Sequence, residues 1–151
     1  LANYLVEFAP GFLEAHGLGC DLALPDQLPP LRLPARARHN LFLIAKEAMR
    51  NAAQHAAATR VRVGLNLTDH ELRLTIEDDG RGFAKTNNNE RAVQASPAGE
   101  AGGAEASAGN GLRNMRARAE AVGGKLVLEP SVPHGTRLSV VVPLENGSDY
   151  N

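Results

Sequence analysis

Three polar residues at helical spacing, Glu47, Asn51 and His55, are the first candidates for chemistry in this chain. Intervals of four residues place them along one stripe of a helix, and the small residues Ala48 and Ala52 beside them leave room for a ligand. A carboxamide oxygen is a neutral, hard ligand that suits Mg²⁺, and a carboxylate can polarise an attacking group. Taken alone, the stripe also fits a solvated polar helix face.

A second candidate is the segment Asp78–Gly82, which reads Asp-Asp-Gly-Arg-Gly. It follows the alternating residues Leu72, Leu74 and Ile76, which predict a half-buried strand. A buried carboxylate at the end of a strand accepts well from an exocyclic amine such as adenine N6, and glycines let the backbone pass close to a ligand. Alone, the segment also fits an ordinary turn. Asp79 and Arg81 within it are expected to face solvent.

A third candidate is the run Gly109-Asn110-Gly111-Leu112, which is predicted to precede a helix. Free backbone N–H groups at the start of a helix bind phosphate through their geometry and through the helix dipole. A Gly-x-Gly at such a place is common, so this run gains meaning only beside the other two candidates.

In this order the motifs resemble those of the GHKL ATPase superfamily, and within it the catalytic ATP-binding domain of sensor histidine kinases of the nitrate-sensor-like subfamily. Residues 47–56 resemble the N box of these kinases, residues 78–82 their G1 box and residues 109–118 their G2 box. Gly135-Thr136 resembles the Gly-Thr pair that opens their last strand. The likeness runs from about residue 38 to residue 143.

The resemblance implies a role for each candidate. Asp78 would accept from adenine through an ordered water that Thr136 shares, Asn51 would hold Mg²⁺, and Glu47 would be the catalytic residue. The other implied nucleotide-binding residues are His55, Gly80, Gly82, Gly109, Gly111 and Leu112. His55 also fits a histidine that only ends its helix.

The resemblance also predicts the fold and the ligands. We expect an α+β, two-layer α/β sandwich of the Bergerat type, in which a mostly antiparallel mixed sheet carries helices on one face. Residues 1–146 would form this domain, with a mobile ATP lid at about 84–108, and residues 147–151 a polar tail. The predicted ligands are ATP and Mg²⁺.

Periodicity predicts the elements of this fold directly. The first helix, over residues 2–16, is expected to break at Pro10-Gly11 because proline interrupts the helical hydrogen bonds. Residues 20–24 are expected to form a strand, residues 35–57 a helix and residues 61–76 a hairpin. A further helix is expected from residue 111 until Gly123-Gly124 ends it, followed by a hairpin at 126–142.

Composition excludes several classes of function. At 151 residues the chain is about one domain, and its net charge of −1 and aromatic content of 4% argue against nucleic-acid partners. No run approaches the ~20 apolar residues of a membrane-spanning helix, so we expect no direct membrane contact. The lone Cys20 fits a reducing cytoplasm. Because the first residue is not Met, the chain is expected to be a piece of a larger protein, the cytoplasmic portion of a membrane-bound sensor.

The function predicted from the resemblance is that of a protein histidine kinase. The domain would donate the γ-phosphate of ATP to a histidine on a separate dimerisation domain, for relay to the receiver domain of a response regulator. None of the five histidines lies in a phosphoacceptor context. The alternatives are an anti-sigma-factor-type GHKL serine kinase and a non-catalytic nucleotide-binding interaction module. Arg113 and the pattern of residues 115–118 favour the histidine kinase over the anti-sigma type, and an intact Glu47 argues against the non-catalytic module.

Overall fold

The computed structural model describes residues 1–26, 33–82 and 105–144, and of residues 105–109 it describes the backbone alone. Within these ranges the chain forms three helices and five strands. The helices are α1 (Ala2–Ala15), α2 (Ala35–His55) and α3 (Glu105–Glu120). The strands are β1 (Gly19–Ala23), β2 (Arg60–Leu67), β3 (Glu71–Asp78), β4 (Lys125–Pro130) and β5 (Thr136–Pro143).

The strands form one mixed sheet in the order β1-β2-β3-β5-β4. Strand β1 runs parallel to β2, and all the other neighbours are antiparallel. In the register of β3 and β5, Asp78 lies opposite Thr136. The sheet therefore brings these two residues together where β3 ends and β5 begins, although they are far apart in the sequence.

The core lies between one face of the sheet and the helices. Alternate residues such as Val63, Leu74 and Val140 are buried, whereas Arg62 and Arg73 on the other face are exposed. This alternation is that of a sheet with one face packed and one face in water. The predicted α+β sandwich with a mostly antiparallel sheet is confirmed.

The predicted break in the first helix is wrong, because α1 continues through Pro10. A proline inside a helix costs about 3 kcal/mol. Full burial of an apolar side chain contributes about 1.5–3 kcal/mol, and Leu5 and Leu13 of α1 are both completely buried. Packing against the core therefore outweighs the local cost of the proline.

Helix α3 also differs from its prediction, since it begins at Glu105 and not at Gly111. Its first residues, Glu105, Ala106 and Ala108, include strong helix formers, which explains the earlier start. Of the predicted lid, residues 105–108 therefore belong to α3, and residues 84–104 lie outside the described residues, as does the predicted tail at 147–151. None of the helices in the described ranges is long and apolar enough to cross a membrane.

Candidate functional site

A cavity of about 250 Å³ lies between α2, α3 and the sheet. Among its lining residues are six of the sequence-predicted site residues: Asn51, His55, Asp78, Gly82, Leu112 and Thr136. The other lining residues are small or apolar: Ala48, Ala52, Ala56, Ile76, Met115, Leu128 and Leu138. An apolar cavity with a few convergent polar groups is the usual form of a small-molecule site.

Asp78 is the half-buried carboxylate of this cavity, at the last residue of β3. Its Oδ1 accepts a hydrogen bond of 2.9 Å from the backbone N–H of Gly80, and the carboxylate also accepts from the backbone N–H of Thr136. Burial raises the pKa of Asp78, and the two N–H donors oppose that rise. A carboxylate has about four acceptor positions, so two backbone donors leave capacity for a ligand amine.

Asp79 fixes the turn that follows β3. Its carboxylate accepts hydrogen bonds from the backbone N–H groups of Thr59 (2.8 Å) and Arg60 (2.9 Å), and from the Thr59 hydroxyl. The Thr59 hydroxyl contributes most to lowering the pKa of Asp79 to about 2. Asp79 faces solvent, as expected, and its carboxylate in addition joins the turn to the start of β2.

The same turn is bound to the end of α2. The backbone N–H of Arg81 donates to the carbonyl of Ala56 at 2.7 Å, and the exposed Arg81 guanidinium donates to the carbonyl of His55 at 2.9 Å. Gly80 packs so closely that a Cβ atom there would collide with the Ala56 carbonyl. Gly80 does not line the cavity, so in this structure it serves the contact between the turn and α2.

Glu47 lies beside the cavity and is not among its lining residues. Its Oε1 accepts a hydrogen bond of 2.9 Å from Arg50 Nη2, one turn along α2. On its other side Glu47 contacts α3, where a Cβ atom at Gly111 would collide with Oε1. The carboxylate is thus held where α2 and α3 meet.

The predicted position of Gly109 and Gly111 at the start of a helix is wrong, whereas their predicted contact with the nucleotide stays a prediction. Both residues lie inside α3, where the backbone N–H groups donate to carbonyls of the preceding turn. The N–H groups without such partners are those of the first turn, from Glu105 onward. Leu112 does line the cavity, as an apolar wall residue.

The polar residues of α2 in the cavity are Asn51 and His55, of which His55 is the last residue of the helix. No group of three or more His, Cys, Asp or Glu side chains suited to a metal ion occurs in the described part of the chain. Mg²⁺ binds through one or two protein ligands plus waters and phosphate oxygens. The Asn51 carboxamide fits that mode of binding, since its oxygen is hard and it lies in the cavity.

Sequence reasoning missed two parts of the site. The apolar wall of Ile76, Met115, Leu128 and Leu138 comes from four separate elements, and periodicity marks each residue only as core. The second part is His134, whose ring contacts the turn after Asp78. The one sequence signal that could have indicated His134 is its position directly before Gly135-Thr136.

The fold has two layers, and its cavity has the form of a small-molecule site. The chain belongs to the family described as histidine kinase-, DNA gyrase B- and HSP90-like ATPases, whose profile matches residues 37–146. This membership confirms the superfamily that the motifs resemble, while the nitrate-sensor-like subfamily stays a prediction.

Curated relatives are sensor kinases. The chain is 30% identical over 125 residues to the sensor protein VraS of Staphylococcus aureus strain COL, covering 83% of this chain and 31% of VraS. It is 33% identical over 117 residues to an uncharacterized sensor-like histidine kinase of Chloroflexus aurantiacus, covering 77% of this chain and 18% of that protein. The chain thus spans less than a third of the length of these relatives.

Solved structures of histidine kinases share the fold. The histidine kinase domain of the blue-light activated kinase of Erythrobacter litoralis EL346 aligns with a TM-score of 0.66 at 21% identity, covering 94% of this chain and 60% of that domain. The histidine kinase AdeS of Acinetobacter baumannii aligns with a TM-score of 0.68 at 17% identity, covering 95% of this chain and 65% of AdeS.

Proposed function

We propose that this chain is the catalytic ATP-binding domain of a sensor histidine kinase and that it binds Mg·ATP in the cavity. The observation that carries the proposal is the meeting of Asp78 and Asn51 in one largely apolar cavity. Adenine needs an acceptor for its amine within an apolar slot, and a triphosphate with Mg²⁺ needs a hard oxygen ligand. The family membership of residues 37–146 supports the same reading.

In this proposal Asp78 accepts a hydrogen bond from the adenine amine, and Thr136 lies beside Asp78 in the pairing of β3 with β5. Ile76, Leu128 and Leu138 provide apolar contact for the base. Leu112 of α3 lines the cavity on the side opposite the sheet. The nucleotide would then lie between the sheet and α3, with its phosphates directed toward the polar stripe of α2.

At the phosphate end, Asn51 would hold Mg²⁺, which supplies charge neutralisation for the transferred phosphoryl group. His55 lies one turn beyond Asn51 and would contact the phosphates. Glu47 lies one turn before Asn51, where its carboxylate would orient the attacking group. Phosphoryl transfer depends mainly on positioning and charge stabilisation, so these three residues would supply what the protein must contribute.

The phosphoryl acceptor would be a histidine on a separate dimerisation domain, and the second partner a receiver domain of a response regulator. The relatives that carry this domain are sensor kinases of which it is less than a third, which supports partners outside the chain. The proposed location is the cytoplasmic portion of such a sensor.

Radiolabelled ATP tests the kinase. The 151-residue chain alone should stay unlabelled, and addition of the parent's dimerisation helices should give acid-labile phosphohistidine on those helices. Glu47→Gln should slow the labelling more than it weakens ATP binding. Stable label on a serine of a partner protein would favour the serine kinase, and ATP binding without any transfer would favour the non-catalytic module.

A further inference from the structure

We propose that His134 is a positioning residue for nucleotide recognition, which orients the Asp78 carboxylate through the peptide group that joins Asp79 to Gly80. This inference rests on the proposed function, because it concerns how the base acceptor is held. His134 does not line the cavity, so it would act on the nucleotide only through Asp78.

The contact itself fixes the chemistry of the imidazole. His134 Nδ1 lies 2.8 Å from the carbonyl oxygen of Asp79 and 3.3 Å from that of Gly80. Both neighbours are carbonyl oxygens, which only accept hydrogen bonds. Nδ1 must therefore carry the proton and act as the donor, with the Asp79 carbonyl as its closer acceptor.

One rigid unit links this hydrogen bond to Asp78. The Asp79 carbonyl and the Gly80 N–H belong to the same planar peptide group, which is trans. The Gly80 N–H donates to Asp78 Oδ1 at 2.9 Å. Rotation of this peptide would break both hydrogen bonds together, so a donor on its carbonyl side stabilises the N–H on its other side. Hydrogen bonds in series also polarise one another.

The β4–β5 turn, residues 131–135, is built to bring His134 to this place. The Ser131 hydroxyl donates to the Glu77 carboxylate, and the Ser131 backbone N–H closes the turn on the Gly135 carbonyl at 3.1 Å. Gly135 approaches so closely that a Cβ atom would collide with the Asp78 carbonyl oxygen. The turn is thus fixed on the last residues of β3 on both sides of His134.

The rest of the segment after Asp78 is held independently of His134. Asp79 binds Thr59 and Arg60 through its side chain, and Arg81 binds the carbonyl of Ala56. Loss of His134 should therefore leave the turn attached and free only the Asp79–Gly80 peptide. The expected effect is a local change in the Asp78 acceptor, which an adenine amine would sense and a base without that amine would not.

The experiment measures binding of ADP and IDP to the full 151-residue chain by calorimetry, because IDP carries a carbonyl in place of the adenine amine. His134→Ala should weaken ADP binding by about three- to tenfold, the effect of one ordinary hydrogen bond, and leave IDP binding within about twofold. His134→Asn places an amide donor near the position of Nδ1 and should retain most of the ADP affinity. His134→Gln carries its amide beyond that position and should behave as His134→Ala does.

The control is His70→Ala in the β2–β3 turn, an exposed histidine whose imidazole has no hydrogen bond to any residue that the structure describes. It should bind both nucleotides as the wild type does. If His134→Ala does not fold, the difference in ADP affinity between His134→Asn and His134→Gln still tests the role of His134. Equal losses of affinity for ADP and IDP, or no loss of affinity in any variant, would overturn the proposed role of His134. Such a result would leave the proposed adenine recognition untouched. A wild-type chain without preference for ADP over IDP would overturn the proposed adenine recognition as well.

Discussion

Gly111 of α3 lies directly against the carboxylate of Glu47 on α2, so closely that any side chain at position 111 would collide with Glu47 Oε1. The two helices approach one another here because position 111 has no Cβ atom. The glycine is therefore explained by the space that the carboxylate requires, since its N–H lies inside the helix.

This contact predicts that Gly111→Ala displaces Glu47. Phosphotransfer to the parent's dimerisation helices should slow by at least about tenfold, while ATP affinity changes little, because Glu47 does not line the cavity. Alanine favours a helix over glycine by about 1 kcal/mol, so weakening of α3 would not explain the loss. The matched control is Gly11→Ala, where nothing lies within 4 Å of the added Cβ. Equal transfer rates in wild type and Gly111→Ala would contradict this account.

Asp78→Asn tests the base acceptor. An amide nitrogen facing the adenine amine leaves two donors opposed, a mismatch that costs about 1–3 kcal/mol and about five- to 150-fold in affinity. Calorimetry with ADP measures this change. Asp69→Asn, in the exposed β2–β3 turn, is the control for removing a carboxylate. Equal ADP affinity in wild type and Asp78→Asn would show that Asp78 is not the acceptor for the adenine amine.

Asn51→Ala tests the proposed magnesium ligand. Nucleotide affinity measured with Mg²⁺ should fall by about tenfold, because one hard oxygen ligand is lost. Affinity measured in EDTA should change little. Asn66→Ala on the exposed part of β2 is the matched control. If the titrations with Mg²⁺ and with EDTA shift by the same factor, Asn51 does not bind the ion.

The pKa of Asp79 predicts a pH dependence of stability. Its folded pKa of about 2 lies below the ordinary value of 3.8, so the ionised form is the one that folding favours. The ionised Asp79 therefore contributes fully to the free energy of unfolding above about pH 4, and this contribution is lost as the pH falls toward 2. Asp79→Asn should therefore lower the free energy of unfolding at pH 7, by about 0.5–1.5 kcal/mol. Urea denaturation should show that the difference from wild type shrinks between pH 4 and pH 2.

Asp69→Asn is the control for that series, since Asp69 lies in the exposed β2–β3 turn. Asp79→Asn could instead destabilise the chain by the same amount from pH 7 to pH 2. That result would show that the negative charge of Asp79 does not stabilise the turn.

The parts of the fold that periodicity encodes were predictable. Alternation at Val61, Val63 and Leu65 marked β2, and the apolar face of residues 41–52 marked α2. The place of Asp78 at the cavity was predictable because this residue ends such a strand directly before a glycine-containing turn. In each case the evidence lies within a few residues of the element, where local geometry decides.

The sequence by itself determined the strands, the polar stripe of α2 and the carboxylate at the end of β3, because periods of 2.0 and 3.6 residues are local properties of the backbone. Only the tertiary structure decided that α1 continues through Pro10, that Gly111 faces Glu47 and that His134 reaches the Asp79 carbonyl. Those outcomes depend on burial and on contacts between residues far apart in the chain. The free energy of packing outweighs local preference there, and no window of sequence contains both partners.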